Sequence, residues 1–290
     1  LTNTERGHPM MFTAMKFRQL TTVVATTALL LFSTAQAQVV TPATLTVDDN
    51  KIQAKLTLSS LIEVDLTVEF ENSIGLNANN IDITAELLDP TDLTITDRLP
   101  SALTSAVSGF PVLVSISPKA DAGFGFEGLA MVELYTKAIH YTPTIPWRLF
   151  TSHDGGEFED ITTLTSSGSF RARGSTGQFS DFIILLDNRP SGSVINDKVA
   201  SLSTIVNGNR NKIAALLEAA IDSGINDVQS ALAVNDDDAA LAAVDSLISL
   251  IDNASGNEIA DVWRSSGDVV NVKGLLLTQL QTLRFSLRTL

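Results

Sequence analysis

The sequence predicts an α+β protein: an N-terminal antiparallel β-sandwich over residues 44–190, followed by a small C-terminal helical bundle over residues 194–288. Three observations predict it. Apolar residues recur with a period of two as far as Asp187. From Val194 the period is near that of an α-helix. Between them stands Arg189-Pro190-Ser191-Gly192-Ser193, a run that ends a strand and cannot open a central one.

The clearest strand begins at Ile62 and alternates apolar with polar residues through Val64, Leu66, Val68 and Phe70, the pattern of a half-buried strand. Further strands are expected at Lys51–Leu58, Ile81–Leu87, Leu93–Asp97, Val112–Ser117, Leu129–Thr136, Trp147–Ser152, Gly168–Arg173 and Phe179–Leu186. Turn signals separate them, among them Asn79-Asn80, Asp89-Pro90, Ser117-Pro118 and Asp154-Gly155-Gly156. Many short strands with such punctuation read as a sandwich or barrel. Ser101–Ser108, after Pro100, reads as a helical turn or two.

Four apolar stripes follow the boundary. Ile195, Val199, Leu202 and Val206 form the first. Ile213, Leu216, Leu217, Ala220 and Ile221 form the second, extended by Val228 and Leu232. Leu241, Val244, Ile248 and Ile251 form the third, with Gly256 as its expected C-cap. Leu275, Leu276, Leu280 and Leu283 form the fourth. Short connectors imply antiparallel neighbours.

Upstream, Lys16 and Arg18 precede an uncharged run of 13 residues, Leu20–Phe32, and Ala35-Gln36-Ala37 follows. A positive segment, a short apolar segment and a small-residue site are the three parts of a cleavable secretory signal. The run is too short to span a bilayer core of about 30 Å. The expected start is Met15 and the expected cleavage lies between Ala37 and Gln38, so residues 1–37 are read as upstream sequence and signal peptide. No later apolar run is long enough for a transmembrane span, and no cysteine follows for lipidation. The mature chain is expected in the periplasm or secreted, in a Gram-negative bacterium.

The 290 residues include no cysteine and carry a formal net charge of −14. Loss of residues 1–37 removes Arg6, Lys16, Arg18 and Glu5 and takes the charge to −16. No cluster of Lys and Arg offers a phosphate-binding face, so nucleic acid is not an expected partner. Without cysteine there is no disulfide, thiolate metal site or cysteine nucleophile. Two histidines remain in the mature chain, His140 and His153. Nucleophile-elbow, β-lactamase, zincin and Walker motifs are all absent.

Two local clusters invite a functional reading. His153, Asp154, Glu157 and Asp160 are candidates for a metal or acid–base site, but Asp154-Gly155 is the stronger signal, that of a hairpin turn that leaves His153 exposed. Asp236, Asp237 and Asp238, after Asn235, offer oxygens for calcium, but their place before Leu241 fits helix capping and the helix dipole. Arg148, Arg171, Arg173 and Arg189 form a possible anion site or balance the acidic strands across the sheet. Trp147 and Trp263 read as core anchors before ligand platforms.

Several stretches resemble a known family. Arg148-Leu149-Phe150, Asp154-Gly155-Gly156-x-Phe158-x-Asp160-Ile161-Thr162, Ser169-x-Arg171 and Gly174-x-Thr176-Gly177-Gln178-Phe179-Ser180-Asp181-Phe182 resemble the end of exported bacterial β-sandwich proteins of unknown function. They are also similar to the ZU5 sandwich domain. Trp263-Arg264-x-x-Gly267-Asp268-Val269-Val270-Asn271 resembles the same uncharacterised family. The helical part around Ala239–Gly256 is similar to helix pairs that end many secreted bacterial proteins. The resemblance implies a compartment and a fold, and no activity. Some ZU5-related domains cleave themselves at a His-Phe-Ser motif. Here Gln178 precedes Phe179 and Ser180, and an amide is no general base, so the chain is expected to stay intact.

The expected function is therefore an exported, non-enzymatic binding or structural module without a cofactor, its ligand open and its partner possibly in the cell envelope. One alternative is a carboxylate-based hydrolase using Asp and Glu, which needs no histidine. Another is a calcium-stabilised surface or adhesive module.

Overall fold

The computed structural model describes residues 38–166 and 168–290. The fold is α+β, with two antiparallel sheets and helices that are mostly C-terminal. The first sheet runs in the order β1 (Val39–Val40), β5 (Ile81–Leu87), β7 (Val112–Pro118), β13 (Asp181–Asp187), β9 (Trp147–Ser152), β10 (Glu159–Asp160), with β6 (Thr104–Ala106) paired to the far end of β13. The second runs β11 (Thr162–Ser166), β12 (Ser169–Thr176), β8 (Gly125–His140), β4 (Glu63–Ile74), β3 (Lys51–Thr57), β2 (Thr44–Asp48), with β14 (Val262–Arg264) also on β8.

The period-two pattern works as physics requires. In β4, Val64, Leu66, Val68 and Phe70 are buried while Glu63, Asp65 and Glu69 face solvent. Buried residues of both sheets, including Leu66 and Phe70 from one and Val114 and Phe182 from the other, join one apolar cluster. On the outer face of the second sheet, ion pairs cross between strands. Lys51 meets Glu69, Lys55 meets Glu63, and Arg171 and Arg173 both meet Glu133. β13 is buried on both faces: Phe182 and Ile184 enter the shared cluster, Ile183 and Leu185 a second one with Ile95, Phe150 and Phe158.

Four long helices follow: α2 (Ser191–Gly208), α3 (Ala215–Ala233), α4 (Asp237–Asp252) and α5 (Val272–Arg288), after a short α1 (Leu93–Thr96) in the sheet region. Their inward residues form a third cluster that also takes in Leu129 of β8. α5 packs on β8, β11 and β12 as well as on α2 and α4. It is buried nearly all round, Thr278, Gln279 and Thr282 included.

Several expectations need correction. Leu93–Thr96 is a helix, because the Asp92 carboxylate accepts from Thr94 N and caps it. Ser101–Ser108 supplies strand β6. α4 ends at Asp252 with Asn253 as C-cap, three residues before Gly256. Leu216 and Ala220 lie exposed on α3, and Ile225 completes the buried stripe in their place. The connector between α4 and α5 returns to the second sheet as β14.

Candidate functional site

One cleft has a volume of ≈ 460 Å³. It lies where the turn after β9, the segment between β12 and β13, strand β14 and the start of α5 come together. Each wall follows from local chemistry. Asp154 and Gly155 both have positive φ, 50° and 71°, and Gly156 N donates to His153 O at 2.9 Å. Those are the marks of a type I′ turn, which lifts His153 from the end of β9. Residues 177–180 connect β12 of the second sheet to β13 of the first and belong to neither strand. Thr176 Oγ1 donates to Gln178 O at 2.7 Å and fixes the bend.

The opposite wall is set by glycines. A Cβ on Gly177 would lie 2.6 Å from the Gly274 carbonyl carbon, and one on Gly274 would lie 2.6 Å from Gly128 O. Only hydrogen at these positions lets α5 approach the sheet so closely. Asn271 then joins the elements: its amide Nδ2 donates to Gly128 O at 2.6 Å and Gly177 O at 3.3 Å, while Oδ1 accepts from Gly274 N at 2.8 Å and caps α5. Trp263 closes one end. Its ring lies 5.5 Å from Phe126, 5.5 Å from Phe179 and 6.0 Å from Phe124, within a nest that Phe70 completes.

Inside the cleft, His153 Nδ1 lies 3.0 Å from Ser180 Oγ and 3.0 Å from Phe179 O. Its Nε2 lies 3.3 Å from Asp154 Oδ2. Gln178 offers Ser180 only an amide, and the imidazole beside the hydroxyl comes from His153, 27 residues upstream. Arg264 borders the cleft and pairs with Asp268.

The four residues of the His153 cluster do not gather into one site. Glu157 and Asp160 line a separate cleft of ≈ 270 Å³ with Glu159, Arg189, Asp197 and Lys198. There Asp160 Oδ2 binds the Lys198 ammonium at 2.6 Å. The same ammonium donates to Thr282 Oγ1 and Ser286 Oγ, both at 2.8 Å. Asp160 Oδ1 accepts from Thr162 N at 2.9 Å. Burial alone would raise the Asp160 carboxyl. The Lys198 charge and the hydrogen bonds from Lys198 and Thr162 outweigh it and hold the pKa below the ordinary carboxylate range. A carboxylate so fully engaged is not free to act on a substrate. Among the described residues, no three His, Cys, Asp or Glu side chains form a group that could hold a metal ion.

Of the remaining candidates, Asp236 Oδ1 accepts from Ala239 N at 2.9 Å and caps α4, with Asp237 and Asp238 in the first turn. Arg171 and Arg173 are tied to Glu133, Arg189 to Asp187, and the Arg148 guanidinium lies 5.2 Å from the Phe285 ring centroid. Trp147 packs against Phe170. Gln38 is exposed immediately before β1, and Ala37 lies outside the described residues.

A family model described as a family of unknown function (DUF6689) matches residues 25–290. The chain belongs to the DUF6689 family. That match takes in both sheets, every helix among the described residues and every residue of the cleft. No curated protein and no solved structure matches this DUF6689 chain. No helix among its described residues is long and apolar enough to cross a membrane.

Proposed function

We propose that this DUF6689 chain is an exported binding module that seats a small ligand in the Trp263 cleft. The two sheets act as a ZU5-like β-sandwich, and the four long helices as a bundle braced against it. The observation that carries the reading is the convergence of four separate segments on one cleft with a mixed lining. Hydroxyls and an imidazole stand beside Trp263 and Phe179, and a few placed polar groups on an aromatic wall are the make-up of small-molecule sites. Its volume of ≈ 460 Å³ falls in the range of such sites. Export is supported by the secretory-signal pattern and by Gln38, the first mature residue, standing just ahead of β1. The mature chain acts in the periplasm or beyond it.

Screening a panel of small esters, amides and sugars by thermal shift tests the reading. A ligand at a hundred times its Kd adds about 2.7 kcal/mol of stability. A hit whose shift disappears in Asn271→Ala or Trp263→Phe supports the cleft. Hits indifferent to both variants contradict it.

A further inference from the structure

Binding alone leaves Ser180 without a role, and its surroundings give it one. We propose that Ser180 is a nucleophile activated by His153, and that the cleft takes small carboxylic esters with an apolar acyl group, passing that group through Ser180 to water. The inference rests on the cleft being the ligand seat and names its substrate class.

The proton positions follow from the contacts. A neutral imidazole carries one ring proton. Two acceptors compete for it, Phe179 O at 3.0 Å from Nδ1 and Asp154 Oδ2 at 3.3 Å from Nε2, and attack proceeds from the tautomer that carries the proton on Nε2. Nδ1 is then the acceptor, 3.0 Å from the Ser180 hydroxyl. This is the order of a serine–histidine–aspartate triad with the ring turned over, and either ring nitrogen can serve as the base. The Asp154 side chain is 89% exposed, so water weakens its hold on the ring, and the working unit is the serine–histidine pair.

The hydroxyl has a second acceptor, Phe179 O, at 2.5 Å. Its proton therefore has two resting positions, and only the one toward His153 leads to attack. The Phe179 carbonyl belongs to a resonance-stabilised amide, a poorer electrophile than an ester. The reacting carbonyl is accordingly that of a bound ester. Trp263, Phe179, Val269 and Val270 line the same cleft and supply an apolar wall for the acyl group.

The steps balance. Ser180 Oγ bonds to the acyl carbon while its proton passes to His153 Nδ1. The ester C–O bond then breaks, and the leaving oxygen takes that proton and departs as an alcohol. Water next gives a proton to Nδ1 and adds to the acyl carbon. The Oγ–acyl bond breaks, Oγ recovers the proton, and a carboxylic acid is released.

Treating the purified protein with p-nitrophenyl acetate, followed by intact mass measurement and peptide mapping, tests the inference. The expected result is one acetyl group on Ser180 of an undivided chain. Ser180→Ala abolishes it, and His153→Gln slows p-nitrophenol release about 100-fold or more. Both variants are checked for unchanged melting, and the mapped site in the wild-type protein needs no variant at all. Acetylation confined to lysines overturns the inference, as does a chain split between Phe179 and Ser180. An unreacted Ser180 with no Ser180-dependent release of p-nitrophenol, in a protein that still binds cleft ligands, overturns the acyl transfer and leaves the binding module standing. Loss of both removes both readings.

Discussion

Single side chains decide how closely the helices approach the sheets. Gly274 sits where any Cβ would collide with the Gly128 carbonyl oxygen at 2.6 Å and the Asn271 amide nitrogen at 2.5 Å, the one backbone and the other held by its own hydrogen bonds. Gly274→Ala should therefore cost about 1–3 kcal/mol by pushing the start of α5 off the sheet, which chemical denaturation would measure. Gly192→Ala, with nothing within 4 Å of the added methyl, is the control and should leave stability within about 0.5 kcal/mol. Lys198 and Asp160 act at the same scale with opposite logic. Asp160→Asn strands a buried ammonium and should cost about 3–5 kcal/mol, whereas Lys198→Met with Asp160→Leu removes both charges and should recover most of that loss. A double variant as weak as the single one would show that the pair contributes more than mutual neutralisation.

Elements were legible in the sequence where one face decides their burial. Val64, Leu66, Val68 and Phe70 alternate because β4 has one wet face and one dry face. Ile195, Val199, Leu202 and Val206 form a stripe because α2 does. Legibility failed where tertiary contact outweighs pattern. Leu93–Thr96 reads as a strand by its β-branched residues, but the Asp92 cap turns it into a helix. Val262–Arg264 is too short to show a period and is recruited to β8 by pairing and by the packing of Trp263 on Phe126. The site was least legible, since His153 and Ser180 meet only through the order of β9, β13 and β12 in their sheets. β14 carries the aromatic ring that closes the cleft. Trp263→Ala should cost about 2–4 kcal/mol through lost packing and abolish ligand protection, while Trp263→Phe should keep the fold.

At the scale of the whole molecule, the helices and sheets are held by buried polar contacts as well as by apolar ones. Asn271 bonds Gly128 and Gly177 across the interface, and Lys198 of α2 bonds Asp160 of β10 and Thr282 of α5. The depressed Asp160 pKa fixes the sign of that carboxylate's own part in the pH response. Its stabilising contribution is complete above the unfolded carboxylate value, about 3.9, and is lost as pH falls through the lower folded value. Acid melting followed by circular dichroism should show wild-type stability falling below about pH 4, with the Lys198→Met, Asp160→Leu variant losing less over the same range. Equal losses in the two proteins would assign the acid sensitivity to other carboxylates.

The fluorescence of the Trp263 ring reports directly on whether the molecule meets its ligand in that cleft. The chain has two tryptophans, and only Trp263 lines the cleft, whereas Trp147 packs on Phe170. In Trp147→Phe, Trp263 is the sole reporter. A ligand found by thermal shift should move its emission saturably, with a midpoint matching the thermal Kd, and should leave the emission of Trp263→Phe unchanged. A ligand that stabilises the protein without altering Trp263, or that moves Trp147 instead, would place the binding site elsewhere and contradict the account.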